Sequence, residues 1–198
     1  MRNLVMVLTW GEYWQKRVGG MPLLFWAMEG IKDLASECWI HFVYEDNSHS
    51  KDLINESVLA SSWIQVGDSY PVKEKMSTSK GLSMAFPSYG VNSGCYVFDA
   101  RTILAPDLVE YMGDIDWFPY ANQGTGGSWV VDQKQVHPLG LYSFSNYQQY
   151  FKVSHIIQDP VQAYGAMELD VVSFEVPTTT FKWVNTEASV EEFALTLR

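Results

Sequence analysis

The sequence predicts an α/β fold: a single domain built on a mostly parallel central sheet flanked by helices, with antiparallel strands toward the C-terminus. Three observations carry this. Residues 4–9, 39–44 and 94–99 are short, mostly apolar runs, the signature of strands covered on both faces. Between the first two, Leu24, Ala27, Met28, Ile31, Leu34 and Ala35 recur at the spacing of one buried helix face. The length of 198 residues suits one compact domain with a sizeable core. Residues 1–112 read as a nucleotide-binding-like half, and residues 113–198 as a smaller, more β-rich half.

The first strand, residues 4–9, ends at Trp10-Gly11-Glu12. A basic pair follows at Lys16-Arg17, then Gly19-Gly20, and Pro22 suits the first turn of a helix running to about Ser36. The second strand, residues 39–44, runs into Glu45-Asp46-Asn47, so two consecutive strands end in acidic residues at one sheet edge. Strand, helix, strand within this length is a βαβ unit with parallel strands. His49 follows Glu45 by four positions, a spacing seen in metal sites but also in plain solvated turns.

A helix is expected over about residues 51–59, then a short third strand at 63–66. Residues 72–86 carry Met76, Leu82, Ala85 and Phe86 at a broadly helical spacing, together with Lys73, Lys75 and Lys80. These lysines gather positive charge just ahead of the central strand, which suits a phosphate in an otherwise acidic protein. Pro87 and Gly90 end that helix.

The strand at 94–99 organises the chain. It is apolar until Asp99, and Arg101 follows two positions on. In open α/β sheets ligands collect outside the carboxyl ends of the strands, so Asp99 and Arg101 sit where binding is done, although an Asp there also starts turns. A short helix from Pro106 to Met112 comes next, then the glycine-rich stretch at 121–127, read as a mobile connection or a lid. Residues 128–132 and 135–139 read as extended, residues 151–157 as a further strand, and 170–183 as edge or antiparallel strands. A capping box from Ser189 to Glu192 opens a C-terminal amphipathic helix.

Composition narrows the function classes. The net charge of −10 argues against nucleic acid, whose binding relies on clustered Lys and Arg. A small anion remains open, given a metal ion or a few placed cations. Cys38 and Cys95 both lie beside apolar runs and read as buried thiols, which points to the cytoplasm. No stretch reaches the roughly 20 apolar residues of a membrane span, and the N-terminal run is interrupted too early for a signal core. The 29 aromatic residues exceed what a core needs; they suit base or sugar stacking, or a homo-oligomer interface. No Gly-x-Ser-x-Gly, Cys-x-x-Cys or His-Glu-x-x-His motif occurs.

Three sheet-edge groups then define a site. A nucleotide could place its base against Trp10, its ribose on Glu45 or Asp46, and its diphosphate near Asp99 through a divalent cation, or near Arg101, Lys75 and Lys80 directly.

The run Leu4 to Trp14, the Pro-Leu-Leu helix start, Ile-His-Phe-Val-Tyr-Glu-Asp-Asn at 40–47, Lys-Glu-Lys-Met-Ser at 73–77, Tyr-Val-Phe-Asp-Ala-Arg at 96–101 and Val-His-Pro-Leu at 136–139 resemble the nucleotide-diphospho-sugar transferases of the glycosyltransferase A fold, over about residues 1–160. The resemblance implies a nucleotide-sugar donor, transfer of the sugar to an unknown acceptor, and Asp99 as the first acid of an Asp-x-Asp metal motif for Mn or Mg. His155, or His137, would match a late metal-binding histidine. Arg101 replaces the second acid. For a transferase of this kind, one of Glu12, Asp132 or Asp159 would serve as the base toward an acceptor hydroxyl. Residues 92–99 also resemble the product-side strand of sugar-phosphate nucleotidyltransferases, though the glycine-rich arginine signature of that family is missing near the N-terminus. The competing class is a non-catalytic, oligomeric protein that keeps the fold.

Overall fold

The computed structural model describes residues 2–8, 13–73, 95–99, 102–104, 128–132, 135–138, 141–144, 174–176, 181–184 and 186–198. In chain order the elements are β1 (Arg2–Leu8), a 3-10 turn (Tyr13–Gln15), β2 (Arg17–Val18), β3 (Met21–Pro22), α1 (Leu23–Gly30), α2 (Lys32–Ala35), β4 (Cys38–Glu45) and α3 (Ser48–Ala60). There follow β5 (Gln65–Val72), β6 (Cys95–Asp99), β7 (Thr102–Leu104), β8 (Ser128–Asp132), β9 (Gln135–Pro138) and β10 (Leu141–Phe144). The chain closes with β11 (Phe174–Val176), β12 (Phe181–Trp183) and α4 (Glu187–Thr196).

The main sheet has the order β10-β6-β1-β4-β5. β6, β1, β4 and β5 run parallel, and β10 lies antiparallel beside β6. The expected α/β architecture with an antiparallel element is therefore present. Alternation along β1 explains why its run is apolar throughout. Leu4, Met6 and Leu8 join Ile40, Phe42, Tyr44 and Phe98 in one cluster with Leu24, Ala27 and Met28 of α1 and Leu53 and Ile54 of α3. Val5, Val7 and Val43, which point to the other face, are equally buried. Met6 is in register with Phe42 on one side and Phe98 on the other, and all three are 0% exposed, which makes this row the centre of the core.

A second cluster fastens the ends of the chain together. Val18, Leu23, Ile103, Val184, Val190 and Phe193 bury one another, with Trp26 against them. Trp26 meets Phe193 edge to face at 6.0 Å and donates its indole N–H to the Val18 carbonyl at 3.0 Å. β7 pairs antiparallel with β12, which carries the chain into α4. A smaller sheet, β11-β8-β9, holds the two stretches expected to be extended at 128–132 and 135–139, as the antiparallel pair β8-β9.

Several boundaries differ from the sequence expectation for physical reasons. The helix expected from Pro22 to Ser36 is two pieces: Gly30 ends α1, and Ile31, with φ −101° and ψ 7°, bends the chain before α2. The third strand extends through Gly67, Asp68 and Pro71 to Val72, residues that read as breakers. It is the outer strand of the sheet, where a bulge and a proline are tolerated because one side of the backbone needs no strand partner. Val72 therefore belongs to β5 and Lys73 to a bend after it, not to the helix expected from Val72, and residues 74–86 of that helix lie outside the described residues. The helix over 51–59 starts earlier, at Ser48. The N-cap of the C-terminal helix is Thr186, not Ser189: Ser189 N–H donates to Thr186 Oγ1 and Thr186 N–H donates to Ser189 Oγ. The helix expected over 106–112, the stretch at 121–127 and the strand at 151–157 lie outside the described residues.

Candidate functional site

Because the four main strands are parallel, Leu8, Glu45, Val72 and Asp99 all finish on one edge of the sheet. The order of those strands fixes where on that edge a ligand fits. From β1 the chain moves outward to β4 and β5, then returns to place β6 on the other side of β1. The direction of winding reverses between β1 and β6, and in open α/β sheets the carboxyl ends of the strands at such a reversal are where ligands bind. Asp99, in register with Val7, ends β6 at that point, and the chain then leaves for β7. Of the predicted residues, Asp99 thus has its backbone at the switch point. Trp10, Glu12, Lys75, Lys80, Arg101 and His155 lie outside the described residues. Asp132 ends β8, in register with Gln135, in the three-stranded sheet and not in the sheet that carries Asp99.

The second acidic group divides its labour. Asn47 caps α3, its Oδ1 accepting the Ser50 N–H at 2.7 Å. Asp46 receives Lys51 Nζ at 2.8 Å, and its own N–H donates to the Val72 carbonyl at 2.7 Å, tying the β4 exit to the end of β5. That carboxylate, through its hydrogen bond and its charge, holds the Lys51 ammonium above the usual lysine range. Glu45, half-buried at the strand end, has no hydrogen bond or ion pair from its carboxylate among the described residues. Among the described residues, Glu45 is thus the member of the trio whose carboxylate is not engaged. Asp46 can serve a ligand only by giving up Lys51.

The β2-β3 hairpin is fastened to two helices. A two-residue turn, Gly19 at φ 59° and Gly20 at φ 83°, closes the β2-β3 hairpin, and these left-handed values are what glycine supplies. Arg17 of that hairpin grips Glu56 of α3 in a two-pronged ion pair, Nη1 to Oε1 at 2.7 Å and Nη2 to Oε2 at 2.5 Å. The fork raises the Arg17 pKa and lowers that of Glu56. Lys16 pairs with Glu187 of α4 at 3.2 Å. The basic pair thus ties the segment between β1 and α1 to α3 and to α4.

No group of three His, Cys, Asp or Glu residues converges to hold a metal among the described residues. Those residues alone do not make a metal set, and His49 is exposed in the first turn of α3.

One residue that sequence reasoning left as ordinary strand is His41. It is 4% exposed and stands between Asn3 of β1 and Asp68 of β5, with the Asp68 N–H donating to Nδ1 at 2.8 Å and Nε2 3.0 Å from Asn3 Oδ1. A histidine inside an apolar run is the signal that could have marked it.

The fold defined by this sheet and its switch point is that of the nucleotide-diphospho-sugar transferases. Solved structures of that fold superpose along almost the whole chain. A nucleoside-diphosphate-sugar pyrophosphorylase from Vibrio cholerae RC9 matches with a TM-score of 0.75 at 8% identity, over 97% of this chain and 99% of that one. A 4-diphosphocytidyl-2C-methyl-D-erythritol synthase from Anaerococcus prevotii matches at 0.70 and 10% identity, covering 99% and 98%. An inositol-1-phosphate CTP transferase from T. maritima matches at 0.68 and 12% identity, covering 99% and 96%. No family model matches the sequence, and no curated protein matches it. At these identities the likeness is one of fold. Among the described residues no helix is long and apolar enough to cross a membrane.

Proposed function

We propose that the protein is a nucleotide-dependent transferase of the sugar-nucleotide class, joining a nucleotidyl group to a phosphorylated sugar or polyol. The observation that carries this reading is the β1/β6 switch point with Asp99 at its lip. The structures of like fold support nucleotidyl transfer over sugar transfer, since those named above are a pyrophosphorylase, a diphosphocytidyl synthase and a CTP transferase.

In this reading a phosphate oxygen of the acceptor attacks the α-phosphorus of a nucleoside triphosphate, the α–β bond breaks, and pyrophosphate leaves with its electron pair. Negative charge builds on the leaving group, so the site needs placed cations more than it needs an acid. Arg101, Lys75 and Lys80 are the residues assigned to that charge, Trp10 to the base, and Glu45 to the ribose. Asp99 takes the position from which a divalent cation, Mn or Mg, would be held; such an ion would neutralise phosphate charge. A phosphate nucleophile at neutral pH needs no base, so Glu12 and Asp132 gain a role only if the acceptor is a hydroxyl and the donor a nucleotide-sugar, as in sugar transfer.

The experiment is a calorimetric and thermal-shift panel of CTP, UTP, GTP, ATP and UDP-sugars, each with and without manganese, coupled to a pyrophosphate assay with phosphorylated sugars. A ligand at a hundred times its dissociation constant stabilises the fold by about 2.7 kcal/mol, which such a panel resolves. Pyrophosphate released only in the presence of one nucleoside triphosphate and one sugar phosphate is the expected result. Binding of a nucleotide-sugar without pyrophosphate chemistry would favour sugar transfer. No nucleotide binding at all would leave the fold as an assembly or binding scaffold.

A further inference from the structure

The β4-β5 pairing skips a step. Ile40 is in register with Val66 and Phe42 with Ser69, so Gly67 and Asp68 together stand opposite His41. The His41 ring fills this bulge. A Cβ on Gly67 would meet Cε1 of the ring and come within 2.5 Å of Nδ1, so only glycine leaves the imidazole its place. Because the Asp68 N–H donates to Nδ1, that nitrogen carries no proton, and the hydrogen resides on Nε2, which donates to Asn3 Oδ1. The bulge is thus held by the neutral ring in one tautomer.

We propose that the Gly67-Asp68 bulge is a proton-operated latch on the outer strand β5: proton uptake at His41 Nδ1 releases the Asp68 amide and transfers the ring's contact to the Asp68 carboxylate. The imidazolium has two N–H donors, so Nδ1–H and the Asp68 N–H would face each other across the 2.8 Å that now forms a hydrogen bond. An acceptor stands ready. Asp68 Oδ2 lies 3.9 Å from Nδ1 on a side chain that is 67% exposed and can turn toward the ring. Among the described residues the titratable groups at the ring are Asp68 and, through its hydroxyl donated to Asp68 Oδ2 at 3.3 Å, Tyr70; from β1 the ring meets the neutral Asn3. Burial opposes the charged ring more than Asp68 favours it, which sets the transition below the ordinary histidine range. A bulge bends an outer strand away from edge-to-edge pairing, so this latch acts on the part of the sheet that most needs such protection.

The test follows the His41 ring and the Asp68 amide together by NMR on the full chain, from about pH 7.5 to about pH 4.5. Both should move with one midpoint, and Asp68 amide exchange, corrected for its intrinsic pH dependence, should quicken by about tenfold or more. In His41→Gln the joint transition should vanish. In Asp68→Asn, which keeps the amide and removes the receiving carboxylate, the midpoint should drop. An Asp68 amide that stays still while the ring titrates overturns the latch. So does the same amide transition in His41→Gln, an unmoved midpoint in Asp68→Asn, or unfolding of the whole chain before the ring titrates.

Discussion

Gly67 and His41 exclude each other's growth: the imidazole lies in the volume where a side chain at position 67 would begin, with Nε2 2.8 Å from that missing carbon. Gly67→Ala must push the buried ring or the β5 backbone aside, and an overpacked interior costs about 1–3 kcal/mol. In a His41→Ala background the same change should cost far less, because the obstacle is gone. Denaturant melts of the two single variants and the double variant measure that coupling; additive losses would mean that the two residues do not meet.

His41 also gives stability a pH dependence with a definite sign. Burial lowers its pKa in the folded chain, with Asp68 partly opposing. The unfolded chain takes up its proton near pH 6.5, before the folded chain does, so stability is full above about pH 6.5 and declines as pH falls toward the folded value. His41→Gln lacks this step. The difference in melting temperature between native protein and His41→Gln should therefore shrink as the pH is lowered through that window, in a series of thermal melts; a constant difference would contradict the assignment.

The row Phe98, Met6 and Phe42 crosses three strands at zero exposure. Phe42→Ala should cost about 3–5 kcal/mol, the range for emptying a buried aromatic position. Phe42→Leu should recover most of it. Chemical denaturation with an unchanged m-value would show that the loss is in the core and not in the unfolded chain.

Thr186→Ala removes the oxygen that accepts the Ser189 N–H and should cost about 1 kcal/mol. Thr186→Asn keeps an acceptor and should cost less. Thermal melts that rank these two the other way would point away from capping and toward the contacts of the Thr186 methyl group.

Glu45 and Asp46 are adjacent in sequence and should part in function. Glu45→Gln should weaken nucleotide binding by about tenfold, the loss of one charge-assisted hydrogen bond. Asp46→Asn should leave affinity near its native value while freeing Lys51. Calorimetry with the nucleotide identified by the panel distinguishes them, and equal losses would mean that Lys51 and Asp46 exchange partners when the ligand binds.

What was legible in the sequence follows from how directly a residue's surroundings are written into its neighbours. β1 and β4 announce themselves because burial on both faces requires unbroken apolar runs. β5 does not, since an outer strand is specified by its backbone pairing to β4 and bears Gly67, Asp68 and Pro71 without penalty. The acids at 45 and 46 were visible, but not that Lys51 claims one of them and that Asn47 caps the helix; both depend on the turn geometry at the start of α3. Asp99 was marked by the sudden charge at the end of an apolar run. That its strand lies beside β1 on the side away from β4 is a matter of winding, which no local pattern encodes.

The placement of β1 also sets the order in which the protein can be made. Its two neighbours are β4, which begins at Cys38, and β6, which begins at Cys95, and the antiparallel strand beside β6 ends at Phe144. A chain emerging from the ribosome can close the β1-β4 pair early, but the other flank of its most apolar strand must wait until the chain has been made through Asp99, half of its length. Contacts of such long sequence separation form slowly, and a half-covered apolar strand is a surface other chains can capture. Slowing synthesis between residues 45 and 99 should therefore lower the soluble yield more than slowing it after residue 144, where that flank is already closed.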